Sequence, residues 1–351
     1  MNVCHDTFGV TIDGEAIERF TLANDRGLEL QAINYGGIIT ALCVPDRGGC
    51  PADIVLGFET LRDYERESPY FGAIIGRYAN RIAQGQFSLD GVVHQLARND
   101  GVHHLHGGLC GFDRRTWDAE PIENGAAVGV SFSRVSAAGE EQYPGALSVQ
   151  VSYTLGHENE VAIEYTATTD AATVVNLTQH SYFDLSAGGS GTILDHVLMI
   201  NGSYYTPVGS DLIPTGALVP VRDTPFDFLS PVPVGSRIAT SDPQLAYGRG
   251  YDHNWVLDDA GQDTRLAATV HEASSGRTLD IWTSEPGIQL YTGNLLNVQR
   301  GKGGRRYPSR SGFCLETQHF PDSPSHPGFP STVLRAEHVF RSRTVWKFGL
   351  K

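Results

Sequence analysis

The sequence predicts an all-β protein, a large antiparallel β-sandwich with only a few short helices. Forty glycines and eighteen prolines are spread over all 351 residues and cut the chain into short segments. Where these segments have a clear pattern, apolar and polar residues alternate at period two. No window sustains the long apolar stripe of an amphipathic helix.

Taken in order, Asp13-Gly14 and Asp90-Gly91 offer the positive φ angles of tight hairpin turns, the second inside the alternating run Phe87 to Leu96. Thr60 is placed to cap a short helical turn through LRDYERE. Val149, Val151, Tyr153 and Leu155 share one face of a predicted strand, as do Val161, Ile163, Tyr165 and Ala167. The intervening GHENE turn makes these two an antiparallel pair. Strands continue to the end in TVLRAEHVF and TVWKF. With no internal repeat, low-complexity tract or linker, residues 1–351 read as a single domain.

Composition narrows the function classes. Hydrophobic residues make up 40% and charged residues 19%, enough apolar material for a sizeable core. A net charge of −14 repels phosphate backbones, so no nucleic-acid partner is expected. The basic run Arg300 to Arg310 is rich in glycine and reads as a solvated loop. Cys4, Cys43, Cys50, Cys110 and Cys314 are odd in number, scattered and never C-x-x-C, which argues against a disulfide framework or a zinc ribbon and for a reducing compartment. The N-terminus lacks a basic start followed by an apolar run, and no stretch approaches the ~18 apolar residues of a membrane span. The expectation is a cytoplasmic protein without a membrane partner, in which the glycosylation-like triplets at Asn176 and Asn201 are accidental. Monomer and homodimer are both compatible with the sequence.

Six segments carry residues suited to chemistry. In GRYANRI, Asn80 and Arg81 stand side by side; neighbours on an ideal strand point to opposite faces, so both reach one site only if the chain bends there. In HHLHGG, alternation puts His104 and His106 on one face and His103 on the other, which leaves metal, structural and proton-transfer roles open. In NLTQHSYFDL, Asn176, Thr178, His180 and Tyr182 form a polar face opposite Val175, Leu177 and Phe183, suited equally to solvent or to the floor of a polar pocket. In GYDHNW, Asp252 sits among aromatic residues that could stack on a sugar, or in a turn. EPGIQLYTGN contains Gln289. In GFCLETQHFPD, Cys314, Glu316 and Gln318 face away from Phe313, Leu315 and Thr317, and a carboxylate embedded mid-strand loses hydration, which raises its pKa.

Read together and in order, these segments resemble the aldose 1-epimerase (galactose mutarotase) family over nearly the whole chain. The resemblance implies the galactose mutarotase-like β-sandwich with a polar cleft on a concave sheet face. It also implies an isomerase of the racemase and epimerase class that needs neither cofactor nor metal and takes a small monosaccharide as substrate. It matches the family's two active-site histidines to His106 and His180 and its glutamate to Glu316 as the catalytic set. Asn80, Arg81, Asp252, Gln289 and Tyr182 match as substrate-binding residues. Gln179 replaces a common Asn, Tyr251 a common Phe, and HPGFP follows PDSPS in place of the usual variants; none of these removes a matched catalytic residue.

The expected reaction opens and recloses the ring of free aldoses such as D-galactose and D-glucose. Glu316 is expected as base at the C1 hydroxyl and His180 as acid at the ring oxygen, with His106 assisting. Their mutual attraction is expected to keep the histidine protonated and the glutamate ionised. The other readings are a sugar-binding module without turnover, a hexose-phosphate epimerase, and a metal-dependent lyase or isomerase built on the histidines.

Overall fold

The computed structural model describes residues 1–123, 125–188, 191–259 and 263–351. Three antiparallel sheets dominate it. A nine-stranded sheet runs in the order Asp118–Glu123, Ala127–Ser136, Leu147–Gly156, Glu160–Thr169, Phe340–Leu350, Arg277–Thr283, Arg265–His271, Val197–Ile200, Val232–Pro233. A five-stranded sheet is formed by Asn2–Val10, Ala16–Ala23, Glu29–Ile33, Ile38–Pro45 and Pro51–Asp53 in sequence order. A second five-stranded sheet, hereafter the site sheet, runs in the order Val219–Pro220, Tyr204–Thr206, Asp252–Val256, Gly287–Tyr291, Cys314–Gln318. The fold is thus the β-sandwich of the sequence reading.

One contiguous core joins the sheets. Phe20, Leu30 and Leu42 from the first sheet meet Val151, Ile163, Leu279 and Trp346 from the large one and Trp255, Ile288 and Leu315 from the site sheet. Alternation places these residues, since each strand sends every second side chain inward. The pair expected around GHENE forms in register from Leu155↔Val161 onward. The Asp90-Gly91 turn closes on Leu89↔Val92 with φ of 50° and 80°. Gly14, with φ 89°, turns the chain between the first two strands.

The two α-helices among the described residues are short. Leu61–Glu67 begins where Thr60 Oγ1 accepts the Asp63 N–H, as the sequence suggested. Pro243–Gly248 starts at Asp242, whose carboxylate accepts the Gln244 and Leu245 N–H groups, with proline at the first helical turn. No helix is long and apolar enough to cross a membrane among the described residues.

The basic run differs from its expectation at Lys302. Its Nζ donates to Asp53 Oδ2 (2.7 Å) and to the Val55 carbonyl (2.8 Å), and the side chain is largely buried. An ion pair reinforced by a carbonyl holds this lysine where free solvation was expected.

Arg77 anchors the segment that leads into Asn80 and Arg81. It is 2% exposed and has no carboxylate partner; its guanidinium donates to the carbonyls of Pro144, Gly145, Ser136 and Ala137 and to the hydroxyls of Ser136 and Thr173. Burial lowers its pKa to about 10, against the pull of Tyr143, Glu140 and Asp170. Replacing Arg77 by Leu strands those acceptors in the interior, so Arg77→Leu is expected to lose about 3 kcal/mol or more of stability, read as a fall in the urea midpoint.

Candidate active site

The site sheet has one apolar and one polar face. His253, Trp255, Ile288, Leu290, Leu315 and Thr317 point one way, most of them into the core, while Asp252, Asn254, Gln289, Tyr291, Glu316 and Gln318 point the other. The polar face floors a cleft of about 450 Å³ whose lining includes Asn80, Arg81, His106, His180, Tyr182, Asp252 and Glu316. Seven of the eight expected site residues therefore meet in one place. The eighth, Gln289, lies behind the lining and donates from Nε2 to Asp252 Oδ1 (2.7 Å).

Asn80 and Arg81 both reach the cleft because the backbone bends between them. Asn80 takes a left-handed φ of 61°, a region that asparagine tolerates better than most residues, and its Oδ1 accepts the Arg81 N–H (2.9 Å). The Arg81 fork is steadied by Asp100, whose Oδ2 accepts from Nε at 2.8 Å.

His106 corrects the alternation argument. It too has a left-handed φ, 51°, so it does not share a face with His104. His104 turns instead into the interior, where Nδ1 bonds the Ala97 carbonyl (2.7 Å) and Nε2 bonds the Tyr143 hydroxyl (2.6 Å). His106 is locked to Asn80 twice: its N–H donates to the Asn80 carbonyl and its Nδ1 accepts the Asn80 N–H, both at 3.1 Å. Accepting at Nδ1 leaves Nε2 as the only position for a ring proton. Gly107 makes this bend possible: at φ 87°, a Cβ would lie 1.8 Å from the Gly76 carbonyl oxygen.

His180 comes from a short strand, Thr178–Gln179, paired with Ile74–Ile75. The polar face expected for this segment is buried, not solvated. Asn176 Nδ2 donates to the carbonyls of Ala79 and His319, Thr178 to that of Thr317, and Tyr182 to that of Pro69. Beyond them, His180 Nε2 faces Glu316 Oε1 at 3.7 Å, and its Nδ1 lies 3.5 Å from Cys314 Sγ.

The aromatic residues expected to surround Asp252 are placed differently. Tyr251 and Trp255 pack in the core, because GYDHNW joins the site sheet at Asp252 and alternation turns Trp255 inward. The rings lining the cleft are those of Tyr70, Tyr182, Tyr247 and Tyr291. The Tyr70 centroid lies 4.7 Å from that of His106 and 5.8 Å from that of His180. Neither Tyr70 nor the rim residues Ser210, Asp211, Leu212 and Arg249 stood out in the sequence. Tyr291, lying in the EPGIQLYTGN segment, was the one that could have been found.

Electrostatics correct one further expectation. Glu316 is 2% exposed and its pKa is pushed well above the usual carboxylate range, first by burial and then by the nearby Asp252 charge, with Arg81 opposing. Burial lowers His180 to about 4. Loss of hydration thus outweighs the attraction expected to hold both as ions. Burial therefore drives both groups toward their neutral forms, Glu316 toward the carboxylic acid and His180 toward the imidazole. Burial also raises Asp252, against the pull of Arg81 and the Gln289 hydrogen bond. By donor type the site could also hold a metal: His106, His180 and Glu316 offer ligand atoms within 4.8 Å of one another.

Comparison with known proteins yields one consistent result. The family model described as aldose 1-epimerase matches residues 18–347. The galactose mutarotase of Rattus norvegicus is 44% identical over 352 residues, covering 100% of this chain and 99% of the rat protein. That of Homo sapiens is 45% identical over 338 residues, 96% of this chain and 95% of the human protein. The crystal structure of galactose 1-epimerase from Lactobacillus acidophilus superposes with a TM-score of 0.87 at 27% identity, covering 99% of both chains. With the family model spanning the site sheet and its cleft, and relatives matched almost end to end, the chain belongs to the aldose 1-epimerase family.

Proposed function

We propose that this chain interconverts the α and β anomers of free aldoses such as D-galactose and D-glucose, in the cytoplasm, with residues 1–351 acting as one unit. The observation that carries the reading is the pairing of Glu316 and His180, two buried proton-transfer groups 3.7 Å apart on the floor of a polar cleft.

Anomer exchange needs one proton removed from the C1 hydroxyl and one delivered to the ring oxygen as the C1–O5 bond breaks. Rotation about C1–C2 and reclosure on the other face complete it. Glu316 takes the O1 proton and His180 protonates O5; on reclosure the roles reverse. One proton shared by the pair suffices, because every proton taken is matched by one given. Burial favours that proton on the carboxyl. Hydroxyls of the bound sugar, with Arg81 nearby, stabilise the Glu316 anion and so favour the proton on His180. His106, with its ring proton confined to Nε2, donates to the ring oxygen or a neighbouring hydroxyl. Asn80, Arg81 and Asp252 hold the remaining hydroxyls, Tyr182 packs beside His180, and Gln289 steadies Asp252. This chemistry calls for no cofactor.

Polarimetry of freshly dissolved α-D-galactose tests the assignment. Glu316→Gln and His180→Asn are each expected to slow catalysed rotation by roughly 10²- to 10⁴-fold. Variants that relax the rotation as fast as the wild type would falsify it.

The pH dependence follows from the shared proton. As pH falls through about 4, the pair gains a second proton at His180, no base remains, and kcat/KM drops. On the alkaline side, loss of the shared proton removes the acid, and burial of Glu316 moves that limb above the ordinary carboxylate range. A bell-shaped kcat/KM profile with an acid limb near 4 is expected; an acid limb at the ordinary histidine value would contradict it.

By ligand type the cluster of His106, His180 and Glu316 would suit a metal-dependent isomerase if His106 gave up the Asn80 N–H bond at Nδ1. Dialysis against a strong chelator separates the two readings: proton transfer between side chains alone is unaffected by it.

A further inference from the structure

Beneath the cleft floor lies a layer of amides that the reaction as described leaves almost unused. Asn254, Gln289 and Glu316 are register partners on three neighbouring strands of the site sheet. In the next row of the same face, Gln318 stands opposite Gly287. All four polar side chains are at most 3% exposed. Six of their atoms have no hydrogen-bond partner: Asn254 Nδ2 and Oδ1, Gln289 Oε1, Gln318 Nε2 and Oε1, and Glu316 Oε2.

A buried polar atom without a partner costs about 1 to 3 kcal/mol, and native proteins leave few of them. Six on one face of one sheet call for a common partner. Exchanging the amide nitrogen and oxygen does not help Asn254 or Gln318, since neither atom of either amide is satisfied. Gly287 lets Asn254 approach this face closely, since a Cβ there would lie 2.4 Å from Asn254 Oδ1 and 2.9 Å from the Phe320 ring. Donors and acceptors buried together on one sheet face match the requirements of buried water, which typically makes two to four hydrogen bonds to otherwise unsatisfied groups.

We propose that Asn254, Gln289 and Gln318 are positioning residues that hold ordered water against Glu316 Oε2, on the side of the carboxyl remote from the sugar. Oε1 is then free for His180 and substrate, while Oε2 accepts hydrogen bonds from water whose orientation the amides fix. The groups facing Glu316 are His180 and Tyr182 from one segment, Cys314 on its own strand, Asp252 across the sheet, and Arg81 and His106 from the bend above. Among these, Arg81 alone favours the carboxylate by permanent charge. Water donating to Oε2 adds a second stabilisation of the anion that proton abstraction from O1 requires, and it does so without narrowing the cleft.

This inference rests on the epimerase reading, and its test is built to fail separately. Gln318→Met and Asn254→Leu keep side-chain volume and remove the water-holding atoms. With α-D-galactose, kcat is expected to fall roughly tenfold in each, as for a loss of about one pKa unit of anion stabilisation, with KM within twofold of wild type. The alkaline limb of the kcat profile should move to higher pH, because the pair binds its shared proton more tightly. A purely structural role would leave that limb in place, and an unmoved limb or a raised KM at unchanged kcat overturns the proposal. Should the variants not fold, a high-resolution structure of the wild-type protein decides: water bridging the amides to Oε2 supports it, and direct protein contacts to all six atoms overturn it. Activity of Glu316→Gln equal to wild type would instead reject the catalytic assignment, whatever the amides do.

Discussion

Moving the Glu316 carboxyl from water to 2% exposure carries a desolvation penalty of several kcal/mol, and the surroundings of the site can be understood as the means by which the fold sustains it. The strand Cys314–Gln318 cannot release Glu316 to solvent without withdrawing Leu315 from the core, because the two are consecutive on a pleated strand. Burial on one face therefore enforces burial on the other. His180 is held opposite by a segment whose polar side chains are tied to backbone carbonyls, so the 3.7 Å separation between the two reacting groups is set by sheet geometry more than by their attraction.

The same desolvation explains why the pair suits reversible chemistry. A carboxylate and an imidazolium stabilised as an ion pair would surrender their charges reluctantly, whereas burial pushes both of these groups toward neutrality. His106 is treated differently: its Nδ1 is committed to the backbone, so it donates with a fixed geometry.

What the sequence made legible follows from what is local. Period-two alternation located the strand pair around GHENE, the two-faced character of NLTQHSYFDL, and the separation of Glu316 from Leu315. Alternation failed at His104 and His106 because a left-handed residue breaks the pleat, and nothing in HHLHGG announces the carbonyl of Gly76 that only Gly107 can approach. Arg77 gave no signal either, since its partners lie 59 to 96 residues away. Tyr70 and the rim residues owe their place to long-range packing, and Lys302 was misjudged because its partner Asp53 is 249 residues distant. The Asn80 and Arg81 bend was posed as a condition by the sequence and met by a backbone angle.

The position of strand Phe340–Leu350 in the large sheet has a consequence for biogenesis. It lies between Glu160–Thr169 and Arg277–Thr283, two strands that have no other link across the middle of the sheet. Until it arrives, the two halves of the sheet face each other across a missing rung with unpaired edges, and Trp346 is absent from the core. During synthesis the nascent chain thus carries open strand edges that invite pairing with other chains, until this strand inserts between them.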